Sequence, residues 1–412
     1  MKFFLIGIKG SGMASLANLL YEEGNIVMGE DIENFIHSQE KLERCGIKIF
    51  PLGSYKYIDS DIYIIGHSFE EDVVKDNNKK YFTYNEFLSK YLKDKNLISI
   101  CGSHGKTTLV ALLSHLLNCS YLKGDGESSF NSKKDYFILE SCEYQDHFLI
   151  YEPKQIILTN IDYDHVDYFL NEEEYITSFE KFLRKTTIKF IPYSLKDKFD
   201  GITIGNCNLA DFSYDNIANI DNVIEFDIYK KGLFKLHIKS KLIGLQFVEL
   251  LTFCYAFCDY NNIEFPFNRI NDFIPASRRF NIEHFYNSII IDDYAHHPSQ
   301  IELHFKNLNF YYKDYHHIAI FKPDRFSRLN YFINEFENAL IKFDEVYVLP
   351  LANMKENINK TYKIFTSNKI KYIESINEIS INRNKLTTYS FMSSKEMKEN
   401  IDEIKNILKK KD

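Results

Sequence analysis

The sequence predicts an α/β protein built from three modules in series. Three stretches share one pattern, in which a short apolar run leads into a glycine-rich or polar turn; these runs begin at Phe3, Leu97 and Ser288. An apolar strand, a turn and a helix-period pattern together are typical of parallel α/β units. The length of 412 residues agrees, because it suggests about two or three domains. We expect domains over residues 1–96, 97–284 and 285–412.

The first module carries a weak dinucleotide-type pattern. The strand-like run Phe3–Ile8 is followed by Gly10, Gly12 and Ser15, so the third glycine of the usual fingerprint is replaced. A second run ends at Glu30 and Asp31, and either carboxylate is placed to meet a ribose. Such a pattern also matches many turns that bind nothing. A nicotinamide-dependent oxidoreductase rests on it alone and ranks last among the functions considered.

The sharpest signal is a shortened phosphate-binding loop in the second module. It lies between an apolar strand and a helical pattern, where backbone N–H groups and the helix dipole favour a phosphate. The loop consists of Gly102, Ser103, His104, Gly105, Lys106, Thr107 and Thr108. In this pattern the lysine reaches the β- and γ-phosphates and the first threonine places its hydroxyl on Mg²⁺. A glycine-rich turn that only caps a helix is the competing interpretation.

Two acidic clusters follow later strands of the same module. Glu140 and Glu143 come directly after one strand, and the segment Thr159–Asp167, which contains His165, follows the next. The carboxyl ends of parallel strands meet the ligand crevice. Each cluster alone is more typical of a solvated loop, but beside a phosphate loop they favour a magnesium-bound triphosphate.

The third module places Asp292–Pro298 at the end of an apolar strand. Its paired carboxylates and paired imidazoles resemble a metal site, yet Pro298 follows at once and no third ligand cluster is near in sequence. We interpret it as a polar ligand-binding turn. The basic segments Ser277–Phe280 and Asp324–Arg328 add positive charge suited to carboxylates or phosphates.

Composition and charge exclude several classes of protein. The net charge of −8 argues against a nucleic-acid groove. No apolar run reaches the ~18 residues that a membrane span needs, and the N-terminal run is too short for a signal peptide. Seven scattered cysteines without a CxxC pair indicate a reducing compartment. We therefore expect a cytoplasmic protein.

The order of these motifs resembles the Mur ligase family over essentially the whole chain. The matching segments are Gly7–Met13, Gly102–Thr108, Glu140–Glu143, Asn160–Asp167, Arg278–Phe280, Asp292–Pro298 and Phe321–Arg328. The resemblance implies three domains: a Rossmann-like one for the UDP-sugar, a central phosphate-loop ATPase and a C-terminal Rossmann-like one. Within the family it points to the members that attach L-alanine to UDP-N-acetylmuramate, with ATP and Mg²⁺ as cofactors and a monomer or weak homodimer as the expected state.

The resemblance also implies roles for single residues. Lys106 and Thr107 would hold phosphates and the first Mg²⁺ with Glu140, and His165 would hold a second Mg²⁺. Residues implied to contact the nucleotide from outside the loop are Arg279 and Asp293. Residues implied to bind substrate are Gly10, Ser11, Gly12, Met13, Asp31, Ser68, Glu143, His296 and Arg325. Catalysis is implied for Lys106, Glu140, His165 and Arg325.

Three segments depart from the family's pattern. The polar segment that bears on adenine is replaced by Gly244–Leu250, in which Phe247 and Leu250 carry no hydrogen-bonding groups. Lys322 and Asp324 stand in place of the usual Gln and His, and Phe391–Ser394 replaces a glycine-rich loop. Either activity is lower, or a different contact holds the base.

Other functions related to this family stay open at this point. One is a ligase that adds a preformed peptide to the same sugar, and another is a non-catalytic relative that binds the UDP-sugar or nucleotide. A folate-type polyglutamate ligase shares the ATPase module but is not expected to carry the N-terminal domain.

Overall fold

The computed structural model confirms an α/β protein with three separate sheets. It describes residues 1–70, 73, 75, 78–352 and 363–409. Among these residues no helix is long and apolar enough to cross a membrane. Short 3₁₀ helices occur at Ser54–Lys56, His67–Phe69, Tyr144–Ile150, Tyr193–Leu195, Phe267–Asp272 and Ile376–Glu378.

The strands of the first sheet run parallel, and residues on both faces of the sheet are buried. Its strands are β1 (Lys2–Ile6), β2 (Ile26–Asp31), β3 (Lys48–Pro51), β4 (Ile62–Ile65) and β5 (Tyr81–Thr83), and its helices are α1 (Ser11–Glu22), α2 (Gln39–Arg44) and α3 (Tyr84–Leu92). The strand order is β3-β2-β1-β4-β5. Because the order reverses between β1 and β4, a crevice opens at their carboxyl ends, where the glycine turn before α1 lies.

The second sheet has ten strands and carries the phosphate loop. Its elements are β6 (Asn96–Cys101), α4 (Lys106–Leu117), β7 (Ser120–Leu122), β8 (Ser128–Ser129), β9 (Tyr136–Glu140), β10 (Gln155–Leu158), α5 (Glu172–Leu183), β11 (Lys189–Pro192), β12 (Ile202–Gly205), β13 (Phe212–Ile220), β14 (Val223–Lys230), β15 (Leu233–Ser240) and α6 (Gln246–Tyr260). The order is β15-β14-β13-β12-β11-β10-β6-β9-β7-β8. Since β6 pairs in parallel with both β9 and β10, the loops that follow these three strands meet at one edge.

The third sheet is parallel except for its first strand. Its elements are β16 (Asn281–Phe285), β17 (Ser288–Asp293), α7 (Pro298–Tyr311), β18 (His316–Phe321), α8 (Phe326–Tyr331), α9 (Ile333–Leu340), β19 (Glu345–Val348), β20 (Ile370–Tyr372), β21 (Thr387–Met392) and α10 (Lys398–Lys409). The order is β16-β17-β21-β18-β19-β20.

Polar contacts join the central sheet to both neighbours. The Ser15 hydroxyl of α1 donates to the carbonyl of Lys123 at 2.7 Å, and the Ser128 hydroxyl donates to the carbonyl of Ser15 at 2.7 Å. On the other side, the Leu245 N–H donates to Asn307 Oδ1 of α7 at 2.8 Å. Helix α7 therefore lies against the N-terminus of α6, close to the phosphate loop.

Candidate active site

The phosphate loop depends on two glycines with left-handed or extended positive φ angles. Gly102 has φ of +129° and Gly105, just before α4, has φ of +81°. A Cβ atom at Gly102 would stand 2.2 Å from Thr159 Oγ1 and 2.8 Å from the Asn160 carbonyl oxygen. The loop is thus packed directly on the segment after β10, and the His104 N–H donates to Asn160 Oδ1 at 2.9 Å.

Lys106 lies at the start of α4 in a buried charge cluster. Its Nζ donates to Glu143 Oε2 at 2.8 Å, to the Ser103 carbonyl at 3.2 Å and to the Gly102 carbonyl. Burial opposes the lysine charge, but the carboxylates of Glu143 and Glu140 and the Cys142 thiol together raise the pKa of Lys106 above its usual value. Burial works against the charge of Glu143 as well, yet Lys106 and His165 lower the pKa of that carboxyl. Both groups are therefore charged at neutral pH.

His165 completes this cluster from the segment after β10. Its Nε2 lies 3.4 Å from Glu143 Oε1, and its backbone has a positive φ of 55°. The other ring nitrogen, Nδ1, is buried without a hydrogen-bond partner in the described part of the chain. The ring packs on Tyr144, with 4.7 Å between ring centroids. An unsatisfied imidazole nitrogen of this kind is a natural place for a cation or a phosphate proton.

Thr107 and Glu140 form a second pair beside the lysine. The Thr107 hydroxyl donates to Glu140 Oε1 at 2.9 Å, and the Gly124 N–H donates to Glu140 Oε2 at 2.9 Å. Burial raises the pKa of Glu140, although Gly124 and Lys106 act in the other direction. A hydroxyl and a carboxylate oxygen at a helix N-terminus are hard donors of the type that Mg²⁺ prefers.

The third domain reaches this site through two arginines of its basic segment. Arg328 of α8 donates to Asp164 through Nε at 2.9 Å and through Nη2 at 3.2 Å, and both side chains are buried. Burial disfavours the charge on Asp164, but Arg328 more than offsets this and lowers the pKa of the carboxyl. Arg325 contacts Asp167 at 3.3 Å in a more exposed pair. The two ion pairs hold the third domain against the segment that carries His165.

Imidazoles of the loop and of the third domain also meet at this contact between the central and third domains, which we call the seam. His104, Asp162 and His297 bring one potential ligand atom each within 4.8 Å of the others. Ser299 donates to Asp162 Oδ2 at 2.8 Å. Burial, together with His297, holds the pKa of His104 well below its usual value, and burial lowers that of His296 to about 3. These imidazoles are neutral at pH 7 and add no positive charge to the site.

A cavity of about 450 Å³ continues from the loop between α6 and α7. Its walls include His104 and Gly105 from the loop, Arg279 from the segment before β16, and Asp293 from the end of β17. The Arg279 guanidinium lies over the Tyr294 ring at 4.6 Å, and Asp293 Oδ2 lies 2.7 Å from His304 Nδ1. The cavity has the position and size for the sugar and base of a nucleotide whose phosphates lie on the loop.

A second cavity, of about 400 Å³, lies at the crevice of the first sheet. The residues proposed for substrate binding in the first domain all line it: Gly10, Ser11, Gly12, Met13, Asp31 and Ser68. Asp31 Oδ2 accepts from the Lys9 N–H at 2.7 Å, whereas Glu30 turns into the core and accepts from the Tyr55 N–H at 2.8 Å. Of these two carboxylates, Asp31 is therefore the one at the cavity.

Tyr84 stands between the two sites. It lines the first-domain cavity, and burial together with the nearby Glu140 carboxylate raises the pKa of its phenol. Tyr84 therefore lies between the first-domain cavity and the Glu140 carboxylate.

The structure brings most of the sequence-predicted residues together, with two exceptions in the third domain. His296 lies near His104, at 6.4 Å between ring centroids, but is not part of either cavity wall, and its Nδ1 lies 2.8 Å from the Tyr294 carbonyl oxygen. Arg325 contacts Asp167 at the seam. Sequence reasoning gave no individual role to Arg328, to Tyr84 or to Glu249, which lines the cavity between α6 and α7. Only Arg328 had a signal, since it lies three residues after Arg325 in the same basic segment.

Fold and site together define a phosphate-loop α/β enzyme whose site is shared between domains. Residues 2–96 match the Mur ligase family catalytic domain and residues 100–256 match the Mur ligase middle domain. The chain belongs to the Mur ligase family, whose members are ATP-dependent, amide-forming ligases that act in peptidoglycan synthesis, and it is an enzyme of that class.

Solved structures of this family share the fold over the full length. UDP-N-acetylmuramate–alanine ligase MurC from Thermotoga maritima aligns with a TM-score of 0.77 at 21% identity, covering 99% of this chain and 100% of that one. A murein peptide ligase from Psychrobacter arcticus gives 0.66 at 18% identity, covering 99% and 98%. The MurF ligase from Thermotoga maritima in complex with ADP gives 0.67 at 13% identity, covering 93% and 95%. The predicted three-domain architecture is therefore confirmed.

Proposed function

We propose that this enzyme joins L-alanine to the carboxylate of UDP-N-acetylmuramate and consumes ATP through an acyl-phosphate intermediate. The observation that carries the proposal is the buried Lys106–Glu143–His165 cluster beside the phosphate loop, whose residues His104 and Gly105 line the cavity between α6 and α7. At this junction of loop, cluster and cavity, a γ-phosphate is proposed to meet the reacting carboxylate.

Two sets of side chains fit Mg²⁺ at this junction. Thr107 and Glu140 offer oxygen donors beside the loop, with 2.9 Å between the Thr107 hydroxyl and Glu140 Oε1. His165, with its orphaned Nδ1, fits a second ion. Bound Mg²⁺ would neutralise charge on the transferring phosphoryl group.

The first chemical step makes the carboxylate reactive. An oxygen of the sugar's carboxylate bonds to the γ-phosphorus while the bond to the bridging oxygen of ADP breaks. Lys106, which is held charged by Glu143, is placed to stabilise the phosphoryl oxygens as negative charge shifts toward ADP. Arg279 and Asp293 are proposed to hold the nucleotide in its cavity.

The second step forms the amide. The amine nitrogen of alanine attacks the acyl carbon, the bond to the phosphate oxygen breaks, and the amine gives up a proton. Arg325 at the seam is proposed to attract the carboxylate of the amino acid. The docked third domain excludes water, which would otherwise hydrolyse the acyl phosphate.

Two alternative functions are distinguished by substrate. A preformed peptide as acceptor is the runner-up, and a non-catalytic relative that only binds ligands is the third candidate. The intact Lys106, Glu140 and His165 contacts favour turnover. We infer a cytoplasmic location, because all seven cysteines are unpaired.

The test is phosphate release from ATP with Mg²⁺ and UDP-N-acetylmuramate, with and without L-alanine, glycine, L-serine or the preformed peptide. Release that requires both the sugar and L-alanine is the expected result. Release that requires the peptide would replace the acceptor, and no release with intact UDP-sugar binding would support the non-catalytic alternative.

A further inference from the structure

The far end of the nucleotide cavity is apolar except for a few side chains. From His104 and Gly105 it extends to Tyr214 and Ile217 of β13 and to Phe253 of α6. If the phosphates lie on the loop, the base reaches this far end. Helix α6 lines the cavity with Gln246, Phe247, Glu249, Leu250 and Phe253, most of which recur at helical spacing.

Among these α6 residues, Glu249 has a carboxyl group that is available to a ligand. Within the described residues it takes part in no hydrogen bond or ion pair, whereas Gln246 Oε1 accepts from Asn307 Nδ2 at 3.0 Å. A half-buried carboxyl without a partner inside a ligand cavity needs a hydrogen bond from the ligand to offset its desolvation.

We propose that Glu249 selects the nucleobase in this cavity by hydrogen bonding to the Watson–Crick edge of adenine. The inference rests on the proposed function in one respect, because it takes the loop to hold the phosphates of the nucleotide. It gives the base a hydrogen-bonding partner, which Phe247 and Leu250 do not provide because their side chains have no group for such a bond.

The protonation state of Glu249 decides which base it matches. Burial raises the pKa of Glu249 to about 7. The other titratable or charged groups of the cavity are His104 from the loop, Tyr214 from β13, Arg279 from the segment before β16, Asp293 from β17, and His304 and Lys306 from α7.

A neutral carboxyl donates to N1 of adenine and accepts from its 6-amino group. A carboxylate accepts from the N1–H and 2-amino groups of guanine instead. Adenine binding should therefore weaken as pH rises through 7, and guanine binding should strengthen.

The experiment compares wild type with Glu249→Gln and Glu249→Leu by calorimetric titration at pH 6 and pH 8.5. The probes are ADP, GDP and inorganic tripolyphosphate, each with Mg²⁺ and without sugar or amino acid. Glu264→Leu, at an exposed glutamate just beyond α6, is the matched control. Tripolyphosphate corrects for the titration of the phosphates themselves.

We expect Glu249→Leu to weaken ADP about tenfold, the effect of about one net hydrogen bond, and to leave tripolyphosphate unchanged. Glu249→Gln keeps an acceptor and a donor, so it should bind ADP at both pH values without the pH dependence of wild type. Glu264→Leu should match wild type.

Unchanged ADP affinity in Glu249→Leu, with tripolyphosphate still bound, would overturn this inference and leave the ligase proposal standing. Equal weakening of ADP and tripolyphosphate would also overturn it, because the variant would then disturb the loop. If wild type bound neither ADP nor tripolyphosphate, both proposals would be overturned.

Discussion

Lys106 shows how one residue is prepared for phosphate before any phosphate binds. Its side chain is 11% exposed, and its ammonium group contacts Glu143, whose side chain is 1% exposed. Removing one partner of a buried ion pair leaves an uncompensated charge, so the two side chains stay paired. We expect a γ-phosphate on the loop to compete with Glu143 for the lysine.

We expect Lys106→Met to lower the rate of phosphate release by at least about 10²–10³-fold, because it removes a charge that stabilises the transferring group. UDP-N-acetylmuramate affinity should stay within about twofold of wild type, since that ligand is proposed to bind in the first-domain cavity. Rates come from a phosphate assay and affinities from calorimetry.

Lys133→Met, at an exposed lysine, serves as the control for this substitution. A Lys106→Met protein that turns over at the wild-type rate would remove the lysine from the mechanism. One that loses sugar binding as well would contradict the separation of the two sites.

At the scale of elements, the turn between β6 and α4 is held by the segment after β10. Gly102→Ala should disrupt this contact, because its Cβ would overlap Thr159 Oγ1 at 2.2 Å while φ is +129°. We expect loss of ADP binding in calorimetry and a lower melting temperature.

Gly232→Ala separates backbone strain from this overlap. Gly232 also has a positive φ, +77°, but a Cβ there meets nothing within 4 Å. It should cost roughly 1–2 kcal/mol of stability and leave ADP binding unchanged. Equal behaviour of the two variants would show that the close approach to Thr159 has no importance.

The docking of α8 on the central domain rests on the Arg328–Asp164 pair. Arg328→Met should destabilise this interface by about 3–5 kcal/mol, because it leaves Asp164 buried and unpaired. Arg184→Met is the matched control: its pair with Glu180 is exposed and should be worth less than about 1 kcal/mol. Both are measured by chemical denaturation.

The pH dependence of this effect follows from the direction of the Asp164 shift. Its pKa is lowered in the folded protein, so the stabilisation is fully present above the unfolded value of about 3.9 and is lost as pH falls below it. The difference between wild type and Arg328→Met should be constant from pH 6 to 8 and shrink as pH falls below about 4. A difference that grows toward acid would contradict the assignment.

At the scale of the whole molecule, the sequence predicted the features that depend on residues close together in the chain. The three strand–turn–helix starts at Phe3, Leu97 and Ser288 correspond to β1, β6 and β17, because apolar runs and glycine turns depend on neighbouring residues. Contacts between domains have no such periodic signal. The Arg328–Asp164 pair joins residues 164 positions apart, and the cavity that Glu249 lines has walls from both α6 and α7.

The separation of the two ligand cavities leads to a last prediction for the molecule as a whole. A Cβ at Gly12 would stand 3.2 Å from the Tyr84 ring, inside the first-domain cavity. Gly12→Val should therefore weaken UDP-N-acetylmuramate at least about tenfold and leave ADP within about twofold, the reverse of Gly102→Ala. Gly24→Ala, with open space around it, is the control. If Gly12→Val and Gly102→Ala each weakened both ligands, the sites would be coupled through Tyr84 and Glu140, and the independent-cavity interpretation would be wrong.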